Sequence, residues 1–172
     1  FDLLAAEEKT LFRRLAVFCC TCTLEAVEAV CNPSRDLDVL NVVGSLVDQS
    51  LLNPSDVNGE PRFGMLETIR EYALGRLDAS GGGEAEEVHR RHATFFMALA
   101  EEAEPKLVGP EQLAWLKRLE TEHDNLRTAL GWALERGGAD AELGLRLAVA
   151  LERFWWIRGY WTEQRQWLER AH

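Results

Sequence analysis

Paired carboxylates, three histidine positions and a cysteine cluster are the residues of this 172-residue chain that could do chemistry. The carboxylate pairs Glu7-Glu8, Glu86-Glu87 and Glu101-Glu102 fall on polar helix faces, without the apolar walls that raise a pKa into the general-acid range, so they read as solvated surface. His89 and His92 stand three apart on one helix and could share a metal, but Arg90 and Arg91 lie between them and no third ligand is near. His92 falls on an apolar stripe and reads as a core histidine. His123-Asp124 reads as the start of a helix. Cys19, Cys20, Cys22 and Cys31 lie near one end. Side chains of adjacent residues diverge on a helix or strand, and no zinc-type Cys-x2-Cys pair meets a second one, so the plain reading is small buried apolar residues; a redox or metal role is the alternative. There is no Gly-rich Lys-Ser/Thr phosphate loop, and no Ser or Cys nucleophile has a plausible base, so the segment reads as non-catalytic.

The formal charge of -10 is shared by both halves: residues 1–80 carry seven Lys/Arg against thirteen Asp/Glu, and residues 81–172 carry twelve against sixteen. Neither half has the positive field that captures phosphate backbones. An apolar content of 47% suffices for a buried core, and no apolar run approaches a membrane span. No secretion signal opens the chain, so the cytoplasm is the expected location. The chain begins on Phe-Asp-Leu-Leu and stops at His172 within a helical pattern, which reads as a piece of a longer protein.

The elements that must position these residues are mainly helical. Leu11, Phe12, Leu15 and Phe18 stripe a first helix. Thr23 caps a second, with Leu24, Val27 and Val30 inward, that ends at Asn32-Pro33. Asp36 is expected to cap a third, burying Leu37, Leu40, Val43 and Val47 and exposing Asp38, Asn41, Ser45 and Asp48. Extended segments at 51–53 and 62–65 flank an Asn58-Gly59 turn signal, and residues 57–61 read as the hairpin tip. Three helices with such a hairpin make a winged helix, completed by a helix over 67–77 that packs Ile69, Ala73 and Leu77. Ser80-Gly81-Gly82-Gly83 then breaks the chain, giving expected domains at 1–80 and 81–172.

Everything beyond is helical. Val88, His92, Phe95, Phe96, Leu99 and Ala103 stripe a long helix; a short segment around Trp115 follows; Thr121 and Asp124 have capping-box spacing for the next helix; a helix over 140–158 ends at Gly159. Gly159-Tyr160-Trp161, Leu168 and Ala171 fall at the spacing of a tetratricopeptide unit, with Gln164 where such units have a small residue, so the second domain reads as the start of a longer helical repeat array. In that register Arg146, Val149, Arg153, Trp156 and Ile157 would line a concave groove for a peptide partner, the arginines engaging acidic groups.

DNA binding is the common use of a winged helix. Here the third helix offers Asp38 and Asp48 and no Lys or Arg, and the wing tip offers Glu60, with Arg62 just beyond it. A protein contact is the better use of this surface, with a DNA-binding winged-helix transcription factor domain as the alternative.

At the blocks Leu11–Phe18, Thr23–Ala26, Met65–Ala73 and Glu120–Leu126 the chain resembles the region after the nucleotide-binding domain in bacterial STAND (NB-ARC-type) ATPases, including many LuxR-type transcriptional regulators. The resemblance spans essentially the whole chain. It implies a winged helix that clasps an upstream nucleotide-binding domain of the same parent chain, followed by repeats that sense a protein or small effector. ATP or ADP would bind that upstream domain, with no cofactor in this segment. Many relatives place a Met-His-Asp nucleotide sensor at the wing-to-helix junction; by the resemblance it falls on Met65, Leu66 and Glu67, where Leu66 cannot donate a hydrogen bond to phosphate.

Overall fold

The computed structural model describes all 172 residues, Phe1–His172. They fall into two compact units, Phe1–Arg91 and His92–His172. The fold is mainly α, with a winged helix first and further helices after it.

In the first unit, α1 (Ala6–Leu15) buries Leu11, Phe12 and Leu15. The Glu8 carboxylate turns back to accept from the Ala5 backbone N–H at 2.8 Å, which supplies one of the donors a helix start leaves unsatisfied. It also accepts from the Ser45 hydroxyl and, at 3.2 Å, from Gln49 Nε2. A residue of the first turn thereby fastens α1 to the helix that carries Ser45. The helix α2 (Leu24–Cys31) is capped as expected, Thr23 Oγ1 accepting from Ala26 N at 3.2 Å.

Two expectations about α3 (Val39–Asp48) need correction. Its cap is Asp38, which accepts from Asn41 N at 3.3 Å, and not Asp36. The Asn32 side chain is the cause: it donates to the Leu37 carbonyl at 3.0 Å and accepts from Leu37 N at 3.2 Å, holding residues through Leu37 in the turn. Starting the helix later rotates its buried stripe to Val39, Val42, Val43 and Leu46, spaced i, i+3, i+4, i+7, and leaves Leu40 67% exposed.

The wing consists of β2 (Asn53–Val57) and β3 (Glu60–Gly64), antiparallel with Val57 opposite Glu60. Asn58 and Gly59 make the turn with φ of 55° and 83°, and Asp56 Oδ1 accepts from Gly59 N at 2.9 Å. The strands run further toward the tip than the expected 51–53 and 62–65. Pro54 is accommodated because β2 lies at the sheet edge. A third strand, β1 (Thr21–Cys22), pairs with the far side of β3, giving the order β1-β3-β2. Two residues carry no periodicity, so the sequence gives β1 no signal. A Cβ on Gly64 would stand 2.5 Å from the Cys20 carbonyl oxygen, so this close approach of β3 requires glycine.

Behind the wing, α4 (Glu67–Asp78) buries Ala73 and Leu77, with Ile69 half-buried. Gly81, Gly82 and Gly83, all at positive φ, lead into α5 (Glu84–Ala103), and the division between the two units falls within this helix. At its start Glu84 accepts from Arg13 Nε and Arg14 Nε, both at 2.8 Å, while Arg14 Nη1 reaches the Cys31 carbonyl at 2.8 Å.

In the second unit a 3₁₀ turn (Glu104–Leu107) precedes α6 (Gln112–Thr121), α7 (His123–Arg136), α8 (Gly138–Arg158) and α9 (Trp161–Ala171). Thr121 is not the cap of α7; its hydroxyl donates to the Lys117 carbonyl at 2.9 Å as the last residue of α6. Gly144 lets α8 approach α7, since a Cβ there would lie 2.8 Å from Leu134 Cδ2 and 3.1 Å from Ala133 Cβ. Gly159, at φ 75°, ends α8 as expected. The core is built on Phe96, Leu119, Leu126, Leu130, Leu147, Phe154 and Trp155, all essentially inaccessible.

Candidate functional site

Three surfaces follow from this framework. The first is the exposed side of α3 with the wing. It presents Asp38, Leu40, Asn41, Gly44 and Asp48, and the wing adds Asp56, Asn58 and Glu60. Of the cations nearby, Arg62 is buried at 1% exposure: its Nε donates to Thr21 Oγ1 at 2.8 Å and its Nη2 to the Thr21 carbonyl at 3.2 Å, bracing β3 against β1. Sequence reasoning put Arg62 just past the wing tip and missed this role, because strand alternation is masked by Pro61 and the partner strand has no signal. Arg13 and Arg14 are taken up by Glu84. Burial alone would raise the Glu84 carboxyl, but hydrogen bonds from Arg13, Arg14 and Ser80 outweigh it and hold its pKa at about 2. Arg35, at φ 54° in the turn between α2 and α3, is exposed.

The second is the junction Met65-Leu66-Glu67 between the wing and α4. Leu66 precedes the helix, is 57% exposed and makes no capping hydrogen bond. Glu67 starts α4 and accepts from Arg70 Nη1 at 3.4 Å, while Arg70 Nε donates to the Phe18 carbonyl at 2.8 Å. Met65 is half-buried. The three residues lie together at one corner of the first unit and offer one carboxylate and no donor side chain.

The third lies on α8. Arg146, Val149 and Arg153 line a depression of about 620 Å³ together with Leu145, Glu101 and Glu104. The arginines meet acidic groups of their own chain: Arg146 pairs with Glu101 at 2.9 Å and Arg153 with Glu104 at 3.2 Å. Trp156 and Ile157 lie on a neighbouring depression of about 550 Å³ that shares Glu152 and Arg153 with the first and includes Val108, Gln112 and Gln164 in its lining. The five expected groove residues are thus brought to one side of one helix but divided between two shallow basins, with Val149 56% and Trp156 69% exposed. Of the aromatic residues at the end of α8 and the start of α9, Phe154 and Trp155 are core and Trp161 is surface.

A polar network joins the α6–α7 corner to α9. His123 Nε2 lies 3.0 Å from Glu163 Oε1, and Glu163 also receives Arg127 through two hydrogen bonds of 2.9 Å and Trp167 Nε1 at 3.3 Å. Burial alone would push Glu163 up, yet the Arg127 hydrogen bonds and the His123 and Arg127 charges leave it below the usual carboxylate range. Tyr160 donates to Glu120 and stacks beside His123 at 4.9 Å. These hydrogen bonds and ion pairs tie residues of three helices together, which makes the network a fastening between helices. His92, expected in the core, is 1% exposed and packs on Phe96 at 4.7 Å. No group of three or more His, Cys, Asp or Glu side chains is placed to hold a metal ion, and no helix is long and apolar enough to cross a membrane.

Comparison with known proteins adds what this geometry alone does not. Residues 4–78 match the family model described as a winged helix-turn-helix domain, in agreement with the fold of the first unit. Over 168 residues, 96% of the chain, it is 41% identical to proteins of Mycobacterium bovis and Mycobacterium tuberculosis that are both named "Putative HTH-type transcriptional regulator". An "Uncharacterized protein" of Mycobacterium tuberculosis is 31% identical over 86 residues, 48% of the chain and 22% of its own length. The chain spans only 18% of the length of the named regulators. No solved structure matches.

Proposed function

We propose that this chain is a non-catalytic segment of a DNA-binding transcriptional regulator. The likeness of residues 4–78 to the winged helix-turn-helix domain, together with the names of the relatives, supports this reading. It fits the alternative drawn from the sequence, a DNA-binding winged-helix transcription factor domain, more directly than a clasp on an ATPase domain.

Which surface meets DNA is a separate question, and the observation that bears on it is the chemistry of α3. Exposed Asp38 and Asp48, with no Lys or Arg on the helix and Arg62 buried beneath the wing, set carboxylates where a duplex would present phosphates. On that ground we assign the α3 face to a protein contact, with a neighbouring domain of the parent as the expected occupant, and duplex contact to another part of the regulator. A nucleotide-binding domain carrying ATP or ADP is one such neighbour; Leu66 then leaves its phosphates without a donor from this junction. The helices of the second unit, in the tetratricopeptide-like reading, engage a protein or small effector through Arg146, Val149, Arg153, Trp156 and Ile157.

Duplex retention by the 172-residue chain tests the division. At micromolar protein and low salt the expected result is no shift of duplex DNA. Salt-dependent retention that Arg35→Glu abolishes would make this winged helix the DNA reader itself, since Arg35 is the exposed cation next to α3.

A further inference from the structure

Cys19 and Cys20 stand outside every role described above. Neighbouring side chains diverge in a helix or a strand, but these two residues are in neither: they form the corner between α1 and β1. Cys20 takes a left-handed backbone conformation, φ 68°, and this bend brings the two Sγ atoms to 3.8 Å of each other. Cys20 is exposed and Cys19 half-buried, whereas Cys22 and Cys31 are buried, with Cys22 Sγ turned to the Phe63 carbonyl at 3.5 Å. All four are thiols rather than disulfide sulfurs. The corner is fixed from both sides. Arg70 holds the carbonyl of Phe18, Arg62 holds Thr21, and the Cys20 carbonyl lies over Gly64.

Such a pair has two outlets. A disulfide across adjacent residues must work with Cα atoms about 3.8 Å apart, below the span of about 4.4–6.8 Å that disulfides ordinarily bridge. Inserting one atom between the sulfurs enlarges the ring and leaves them near their present separation. A soft, three-coordinate centre with two exchangeable positions meets that requirement, because thiolates are the ligands such centres prefer. We propose that Cys19 and Cys20 form a two-sulfur binding site for a trivalent thiophilic centre of the organoarsenical class. With an arsenoxide, R–As=O, the two As–S bonds form as both S–H bonds break. The oxygen leaves as water carrying the two thiol protons, and no electron is transferred.

Phenylarsine oxide added to the reduced chain, followed by intact mass and peptide mapping, tests the site. The expected result is one phenylarsenic group per chain, mapped to Cys19 and Cys20, surviving excess 2-mercaptoethanol and removed by 2,3-dimercaptopropanol. Cys19→Ser and Cys20→Ser should each lower occupancy at least tenfold, while Cys22→Ser, a buried thiol beside the site, leaves it unchanged. Retention of the adduct in either of the first two variants, its mapping to Cys22 or Cys31, or stripping by the monothiol overturns the proposal. So does a reduced chain that loses two hydrogens to glutathione disulfide at Cys19 and Cys20 yet takes up no phenylarsenic group.

Discussion

Arg62 shows how much a single residue's placement changes its meaning. As one of seven cations in the first eighty residues it could have been a phosphate ligand; buried, it is a brace whose guanidinium satisfies both the hydroxyl and the carbonyl of Thr21. Hydrogen bonds from a charged donor contribute about 1.5–3 kcal/mol each, and removing the donor takes two of them from Thr21 in a part-buried setting. Arg62→Met is therefore expected to cost roughly 2–3 kcal/mol in urea unfolding, while Arg35→Met, at an exposed turn, stays within about 0.5 kcal/mol. Equal losses in the two variants would remove the distinction between brace and surface cation. The same contrast runs through the carboxylates: Glu7, Glu86, Glu87, Glu101 and Glu102 are surface as the sequence reads them, but Glu8, read the same way, holds Ser45 and Gln49, and nothing local marked Glu84 or Glu163 as clamps, because the partners of all three are about 37 to 41, 70 and 36 to 40 residues away.

At the scale of elements, α3 and the start of α5 carry the tests. An N-cap carboxylate satisfies a helix-start donor for about 1 kcal/mol. Asp38→Ala should lower stability by that amount and Asp36→Ala by almost nothing; the reverse order in chemical denaturation would restore the cap that the sequence pattern favours. The join between α1 and α5 is expected to depend on pH. Glu84 has its folded pKa depressed to about 2, against about 4.3 for an unperturbed glutamate. A depressed carboxylate contributes stability that is fully present above the unfolded value and lost as pH falls through the folded one, so the contribution declines between about pH 4.5 and pH 2. Thermal melts across that window should show a shallower acid slope for Glu84→Gln than for the parent; parallel slopes would mean that the two arginines do not single out this carboxylate. Periodicity found these helices, yet it placed the α3 stripe one position off at Leu40, since the start of the helix is decided by the Asn32 side chain in the preceding turn.

For the molecule as a whole, the regulator reading and the α8 surface are judged together. Arg153 and Trp156 are exposed, and an exposed ion pair such as Arg153–Glu104 contributes about 0–1 kcal/mol. The Arg153→Ala, Trp156→Ala double variant should accordingly abolish capture of a partner by the second unit with stability changed by no more than about 1 kcal/mol. A collapsed melt would make both residues structural. The sequence by itself determined the winged helix followed by helices, the capping by Thr23, the Asn58-Gly59 turn, the stop at Gly159 and the acidic character of α3, because each is written in the local order of residue types. Tertiary structure alone decided the third strand, the burial of Arg62, the meeting of Arg146 and Arg153 with carboxylates of their own chain, and the contact between the Cys19 and Cys20 sulfurs. Those features come from long-range pairing and from one left-handed residue at a corner, where the energy of placing a side chain depends on atoms that the local sequence does not contain.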